Sequence, residues 1–254
     1  MAESLLAASG ITVRFGGLVA LSEVDLTVAP SGITGLIGPN GAGKTTLFNV
    51  ITGLQRPTQG GLSFDGGDIT RWSPNRRGRA GIARTFQRLE LFGGMTVRDN
   101  LMAAWEAKIP GGVLGRRSSA GRQLVDSVIA RLDLSAIADR RAGTLPTGLG
   151  RIVELGRALC AQPRLLLLDE PSSGLDAGET AMFRDLLIEL TDSSRGLGDG
   201  PVPAVLLVEH DVRLVMEVCR EITVIDFGRK ICCGTPAEVQ NDPAVIAAYL
   251  GEAA

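Results

Sequence analysis

A glycine-rich turn between an apolar strand and a helix constrains this chain more than any other feature. The apolar run at residues 33–37 precedes the turn, and a helix is predicted from Leu47 onward. Glycines let the backbone curl so that successive amide groups point inward at an anion, and the helix N-terminus adds the positive end of its dipole. This context predicts a phosphate-binding loop. Its residues are Gly38, Pro39, Asn40, Gly41, Ala42, Gly43, Lys44, Thr45 and Thr46.

Two side chains of the loop indicate which kind of phosphate compound binds. Lys44 can reach the β- and γ-phosphates of a nucleotide, and the hydroxyl of Thr45 can bind Mg²⁺. The alternative is a strand-to-helix turn that merely contains glycines. The matched spacing of glycines, lysine and threonine argues against that alternative, so we predict a site for a nucleoside triphosphate.

Hydrophobic patterns elsewhere in the chain predict an α/β fold. Residues 11–15 and 22–29 alternate apolar and polar side chains, which is typical of half-buried strands, so a small antiparallel sheet is expected before the loop. The near-continuous apolar runs at 165–168 and 205–208 are typical of parallel strands covered on both faces.

The middle of the chain has a different pattern. Residues 89–145 carry no strand signal, and helices are expected from Thr96 and over roughly 120–132. We therefore predict a single domain, in which a helical subdomain of residues 89–145 is inserted into a core of residues 1–88 and 146–254. The N-terminal antiparallel strands form a β subdomain of that core.

Three stretches of the chain are expected to be irregular. Segments rich in glycine, serine or proline at 110–119 and 192–203 predict mobile loops. A polar connection is expected after the short strand at 62–65.

Composition excludes several classes of partner. The net charge of −2 gives no basic field, so we expect no nucleic-acid partner. The four cysteines lack metal-ligand spacing, which indicates reduced thiols in a cytosolic protein. A cluster of arginines is expected to form a solvated face, with a partner-binding surface as the alternative. These are Arg71, Arg76, Arg77, Arg79, Arg84 and Arg88.

Polar side chains that follow the buried strands suggest hydrolytic chemistry. Asp169 ends one strand and is suited to hold Mg²⁺, while the next residue, Glu170, is suited to polarise an attacking water. His210, the only histidine, follows the neighbouring strand and could contact a γ-phosphate. Gln87 could bind Mg²⁺ or sense the nucleotide. The alternatives are a solvated acidic loop and a structural histidine.

Together these motifs resemble those of the ATP-binding-cassette (ABC) ATPases, over nearly the whole chain. Residues 38–45 match the family's Walker A motif and residues 165–169 its Walker B strand. The resemblance implies a P-loop NTPase (RecA-like) core and an ATPase that uses ATP and Mg²⁺. The catalytic residues it implies are Lys44, Gln87, Glu170 and His210, and the metal ligands are Thr45, Gln87 and Asp169. Further nucleotide contacts that it implies are Phe15 on adenine, Thr147, Gly148 and Asp176.

The family also implies that two ATPase subunits pair head to tail around each nucleotide. Most members carry Leu-Ser-Gly-Gly-Gln in the signature loop that reaches the partner's nucleotide, whereas this chain has Leu-Pro-Thr-Gly-Leu at 145–149. Pro146 lacks both the serine hydroxyl and an amide hydrogen. The Thr147 hydroxyl and the Gly148 amide remain, so a weakened but working contact is expected.

A finer resemblance is to the ATPase subunits of branched-chain amino acid importers, carried by residues 15–21, 81–87 and 208–211. It implies transmembrane permease subunits as partners, a second ATPase subunit of the same or another kind, and indirectly a solute-binding protein. Peripheral attachment at the cytoplasmic face of the inner or plasma membrane follows. Candidates for the permease contact are Leu89, Leu91 and Phe92.

Two alternatives to amino acid import stay open from the sequence. One is another cargo, such as urea or amide import or lipid export, because nothing in such a chain touches cargo. The other is a soluble ABC ATPase of DNA repair or translation. A single cassette without a long heptad run argues against the second alternative.

Overall fold

The computed structural model describes residues 4–108, 119–192 and 202–250 of the chain. The loops predicted at 110–119 and 192–203 lie almost entirely outside these residues. The strands are β1 (Leu6–Phe15), β2 (Leu18–Val28), β3 (Ile33–Ile37), β4 (Gln59–Phe64), β5 (Gly67–Asp68), β6 (Ile82–Arg84), β7 (Leu165–Asp169), β8 (Ala204–Val208), β9 (Glu221–Asp226) and β10 (Arg229–Gly234). The helices are α1 (Lys44–Thr52), α2 (Pro74–Arg79), α3 (Val97–Lys108), α4 (Ser119–Arg131), α5 (Thr147–Cys160), α6 (Ala177–Thr191), α7 (Val212–Val218), α8 (Pro236–Gln240) and α9 (Pro243–Leu250).

The N-terminal strands form a four-stranded antiparallel sheet in the order β2-β1-β4-β5. The alternation of apolar residues places Ile11 and Val13 of β1, and Val24 and Leu26 of β2, in the interior. The predicted antiparallel β subdomain is therefore confirmed.

The second sheet has six strands in the order β10-β9-β3-β8-β7-β6. Strands β9, β3, β8, β7 and β6 are parallel, and β10 pairs antiparallel at one edge. Every residue of β3, β7 and β8 is buried, as their continuous apolar character predicts. Because these three strands are neighbours, the residues that follow them meet at one edge of the sheet.

Within residues 89–145, the described part contains the helices α3 and α4 and two short 3₁₀ turns, joined by irregular segments. Thr96 Oγ1 accepts a hydrogen bond from the Asp99 amide at 3.0 Å, as expected of an N-cap. Val97 and Leu101 of α3, with Val128 of α4, lie in one hydrophobic cluster that also contains side chains of α5. An isolated antiparallel bridge between Thr96 and Arg141, which the sequence does not predict, joins the two ends of the segment.

The expected solvated arginine face is wrong for two of its members. Arg77 is buried, and the side chain of Arg84 is only 7% exposed. The expected polar connection is also only partly right, because α2 and the short strand β6 form within it and carry these two arginines inward.

The cysteines agree with the expectation of reduced thiols. All four cysteines are free, and burial raises the pKa of Cys160 and of Cys219 to about 12. Within the residues that the structure describes, every helix is too short or too polar to span a bilayer.

Candidate nucleotide-binding site

The phosphate loop connects the buried strand β3 to α1, which begins at Lys44. Glycine is required at two positions of the loop. Gly38 has φ 151°, and a Cβ there would lie 1.9 Å from the Ile225 carbonyl oxygen. Gly43 has φ 105°, and a Cβ there would lie 2.9 Å from the Ala20 carbonyl oxygen. The loop is therefore curled against β2 and β9 in a shape that only glycine permits at these points.

Lys44 holds the loop closed from within. Its Nζ donates to the carbonyl oxygens of Gly38 at 2.6 Å and Pro39 at 2.9 Å, and its side chain is buried. The ammonium group thus lies inside the curl of backbone, where a phosphate oxygen would find both a positive charge and amide donors.

A cavity of about 300 Å³ opens over this loop and brings together most of the predicted site. Four predicted catalytic residues line it: Lys44, Gln87, Glu170 and His210. The other lining residues are Asn40, Gly41, Ala42, Gly43, Thr45 and Thr46. The sheet topology explains this convergence, since Glu170 and His210 follow the adjacent strands β7 and β8.

Glu170 is the centre of a hydrogen-bonded cluster in this cavity. Its Oε1 lies 2.6 Å from His210 Nε2, and its Oε2 accepts from Gln87 Nε2 at 2.7 Å. Glu170 has a left-handed φ of 48°, which is strained for a residue with a side chain, and its amide donates to Val208 O at 2.8 Å. A carboxylate held between an imidazole and an amide beside a phosphate site can orient and polarise a water.

Asp169, the predicted metal ligand, is buried at the end of β7. Its Oδ2 accepts from Arg84 Nη2 at 2.6 Å, and its amide lies 3.4 Å from Thr85 Oγ1. No cluster of three or more His, Cys, Asp or Glu capable of holding a metal occurs among the described residues. Hydroxyl, carboxylate and amide oxygens of Thr45, Asp169 and Gln87 suit Mg²⁺ only as a partial set that phosphate oxygens complete.

Six predicted nucleotide contacts, and the predicted metal ligand Asp169, are not among the described residues that line the cavity. Two of the six, Gly38 and Pro39, belong to the phosphate loop itself, where their carbonyl oxygens accept from Lys44. Phe15 is half exposed at the end of β1. Thr147 begins α5, and Gly148 is buried against the side chain of Glu179. Asp176 caps α6 through a reciprocal pair of hydrogen bonds with Glu179, at 2.8 and 3.0 Å. Their assignment to nucleotide binding stays a prediction.

Sequence reasoning missed a buried ion pair that supports Gln87. Arg151 and Glu154 of α5 lie 3.1 Å apart, both nearly fully buried. Arg151 donates to the carbonyl oxygens of Phe86 at 3.0 Å and Gln87 at 2.5 Å, and Glu154 accepts from the Phe86 amide at 3.4 Å. Burial raises the pKa of Glu154. Two charges three residues apart on a helix usually face solvent, so the sequence carried no signal of this role.

Glu209 is a second buried acid that sequence reasoning missed. Its Oε1 accepts from the Ser172 amide at 2.7 Å and its Oε2 from the His210 amide at 3.1 Å, and burial raises its pKa. It therefore ties the loop after Glu170 to the residue that carries the imidazole.

Comparison with known proteins agrees with this geometry. The pattern of the ABC transporter family matches residues 21–173, and that of the branched-chain amino acid ATP-binding cassette transporter matches residues 229–254. The high-affinity branched-chain amino acid transport ATP-binding protein BraF of Pseudomonas aeruginosa is 38% identical over the full length of both chains. The lipopolysaccharide export system ATP-binding protein LptB of Haemophilus influenzae is 37% identical over 98% of both.

Among solved structures, the ADP conformation of MJ1267, an ATP-binding cassette of an ABC transporter, superposes with a TM-score of 0.86 at 30% identity. The match covers 98% of this chain and 99% of that one. A family pattern across residues 21–173, full-length relatives and this shared fold lead to one conclusion. The chain belongs to the ABC transporter family of ATP-binding proteins, as its motifs predict.

Proposed function

We propose that this chain is the ATP-hydrolysing subunit of an ABC importer, energising uptake of branched-chain or related amino acids through a separate permease. The observation that supports hydrolysis is the cluster of Gln87, Glu170 and His210, which faces the phosphate loop within one cavity. The match of residues 229–254 to the branched-chain family supports the cargo class.

The cofactors of the proposed reaction are ATP and Mg²⁺. The loop amides and Lys44 would bind the phosphates, while Thr45, Asp169 and Gln87 would hold the metal. When bound, Mg²⁺ would neutralise negative charge on the phosphates. Glu170 would hold the attacking water, with its carboxylate oriented by His210 and Gln87 at 2.6 and 2.7 Å.

A second ATPase subunit is part of the proposal. Thr147 and Gly148 are not among the described residues that line the cavity, so a head-to-tail partner would supply its own signature loop to this nucleotide. Contacts made only in the closed pair give ATP different affinities for the open and closed states, as a switch requires. The partner is either a second copy or a related chain.

The proposed permease contact is a groove of about 510 Å³ between the core and the helical segment 89–145. Its cationic residues are Arg79, Arg84, Lys108 and Arg157, of which Arg84 is paired with Asp169. The exposed ring of Phe86 adds an apolar surface. A cytoplasmic permease loop with an apolar side chain flanked by acidic ones would complement it. Of the residues predicted for this contact, Leu89 and Phe92 are exposed, whereas Leu91 packs partly buried against the core. Attachment would therefore be peripheral, at the cytoplasmic face of the membrane.

Affinity purification of the tagged chain from its native membrane tests the assignment. We expect a permease and a second ATPase subunit to be recovered, and recovery of ribosomes or DNA-repair factors would contradict it. Arg79→Glu should reduce permease recovery, and Arg71→Glu, an exposed arginine outside the groove, is the matched control.

Reconstitution of the recovered complex decides the cargo. ATPase stimulation by a solute-binding protein loaded with leucine supports amino acid import, and stimulation by a urea-loaded protein changes the cargo class. Lipid export is the second candidate, because LptB is 37% identical over 98% of this chain. Stimulation by lipid without any solute-binding protein would favour it.

A further inference from the structure

Arg84 joins the predicted metal carboxylate to the helix of the phosphate loop. Its Nη2 donates to Asp169 Oδ2 at 2.6 Å, and its Nη1 donates to Asn49 Oδ1 at 2.7 Å. The side chains of Arg84 and Asp169 are 7% and 5% exposed. Asn49 lies on α1, the helix that begins with Lys44. One guanidinium therefore spans the two elements that would hold Mg²⁺ and the phosphates.

Two aromatic rings hold the guanidinium in this position. The Arg84 Cζ lies 5.4 Å from the ring centroid of Phe48 and 5.1 Å from that of Phe86. A cation close to aromatic faces is stabilised electrostatically, and more strongly where water is excluded. Both ring contacts favour the orientation in which Arg84 reaches Asp169.

The arrangement is not explained by stability alone. Arg84 Nε is buried and has no hydrogen-bond partner among the described residues. An unsatisfied buried N–H is unfavourable, and replacing a buried ion pair by apolar side chains is often neutral or stabilising. The pair of Arg84 and Asp169 keeps an unsatisfied N–H group next to the nucleotide site, which suggests that the pair serves the site and not only the stability of the fold.

We propose that Arg84 is a positioning residue for Asp169, and that it sets how strongly the site holds Mg²⁺ together with nucleotide. The inference rests on the ATPase function and is independent of the cargo. Removing one partner of a buried ion pair leaves the other charge uncompensated, so without Arg84 the Asp169 carboxylate would lose the contact that fixes its orientation. Groups that orient metal ligands typically change metal affinity about 10–100-fold when they are removed.

Calorimetric titration with ADP, in EDTA and over a series of Mg²⁺ concentrations, measures the effect. In Arg84→Met we expect the affinity for ADP in EDTA to stay within about twofold of the parent. Mg²⁺ should still increase the affinity for ADP, but the Mg²⁺ concentration that gives half of this increase should be about tenfold higher than in the parent. Arg164→Met is the matched control. Arg164 also pairs with an aspartate, Asp65, at 2.5 and 2.7 Å and lies 5.6 Å from a phenylalanine ring, but it is exposed and remote from the cavity.

Two further variants keep the test decisive if Arg84→Met folds poorly. Arg84→Lys keeps the charge but loses the fork, so an intermediate shift is expected. Asn49→Ala leaves both charges in place and removes one support of the guanidinium, so a smaller shift in the same direction is expected.

Three results would overturn the inference. Equal losses in EDTA and in Mg²⁺ would mean a general structural role for Arg84. A half-saturating Mg²⁺ concentration that is unchanged or lower than in the parent would mean that the guanidinium does not position the carboxylate. If the parent chain itself bound no ADP, the ATPase assignment would fail with it, which the parent titration reveals before any variant is made.

Discussion

Replacing Arg77 with methionine removes the side chain that closes the C-terminus of α1. Its Nη1 donates to the carbonyl oxygens of Val50 and Ile51 at 2.5 and 2.7 Å. Its other nitrogens donate to Thr70 O at 3.0 Å and Trp72 O at 3.2 Å. The guanidinium is buried against Val50 and Ile51, so these two carbonyls have little access to water in its absence. The helix that presents the phosphate loop would lose its C-terminal support.

The expected cost follows from these contacts. A hydrogen bond to a charged group contributes about 1.5–3 kcal/mol, and the two shortest bonds end on carbonyls of α1 itself. The two longer bonds reach the connection after β5, where water can replace the donor. Counting the α1 bonds alone, and allowing for relief from burying a charge, Arg77→Met should lower the free energy of unfolding by about 3–5 kcal/mol.

Urea unfolding with linear extrapolation measures this change, with an unchanged m-value as the sign that the unfolded state is the same. Arg77→Lys should fall between methionine and the parent, because an ammonium group can satisfy only some of the acceptors. The matched control is Arg76→Met, because Arg76 neighbours Arg77 on α2 but is exposed. Arg76 stacks on Trp72 at 3.9 Å, so its replacement should lower the free energy of unfolding by about 1 kcal/mol or less. A loss for Arg77→Met no larger than the control would refute the reasoning.

Three further predictions test the site. Glu170→Gln should still bind ATP but lose turnover and accumulate the closed dimer, as read by phosphate release and size-exclusion chromatography, and unchanged hydrolysis would remove Glu170 from its role. Pro146→Ser should add an N-cap to α5, stabilise the chain by roughly 0.5–1 kcal/mol and strengthen ATP-driven dimerisation, with no gain in dimer showing that the hydroxyl is already compensated. Because burial raises the pKa of Glu209 above its ordinary 4.5, the native state binds that proton more tightly, and stability is lost as the pH rises from 4.5 through the folded pKa. Glu209→Gln should flatten the fall in unfolding free energy as the pH rises above about 4.5 in urea titrations, and a fall identical to that of the parent would show that another group titrates.

The convergence of Lys44, Glu170 and His210 could be predicted because it depends on local pattern and topology. A glycine-rich strand-to-helix turn has a recognisable sequence, and continuous apolar runs predict parallel strands whose ends meet. The structure brings these side chains to one cavity as expected. This result requires only that β3, β8 and β7 are neighbours in the sheet, and it does not depend on where the other three strands lie.

The buried arginines could not be predicted because their position depends on tertiary contacts alone. Strand β6 has three residues, too few for a period to appear, yet it carries Arg84 to Asp169. Arg77 follows Arg76 on α2, and one is buried while the other is exposed. Amino-acid composition cannot predict which of two adjacent arginines is buried and which is exposed. Phe15, Thr147 and Asp176 illustrate another limit, because in the proposed head-to-tail pair their predicted ligand would lie between two subunits, and a single chain would not close around it.

The hydrogen bonds from Arg151 to the main chain beside Gln87 make it possible to study the side chain and the main chain of this glutamine separately. Arg151 and Glu154 bind the main chain at positions 86 and 87 and leave their side chains untouched. Gln87→Ala would therefore remove the amide side chain from the cavity and keep the hydrogen bonds between the main chain and α5. Replacing Arg151 would remove the contact between α5 and this segment and leave the Gln87 side chain intact. The two variants therefore separate the role of the Gln87 side chain in the cavity from the role of the contact between its main chain and α5.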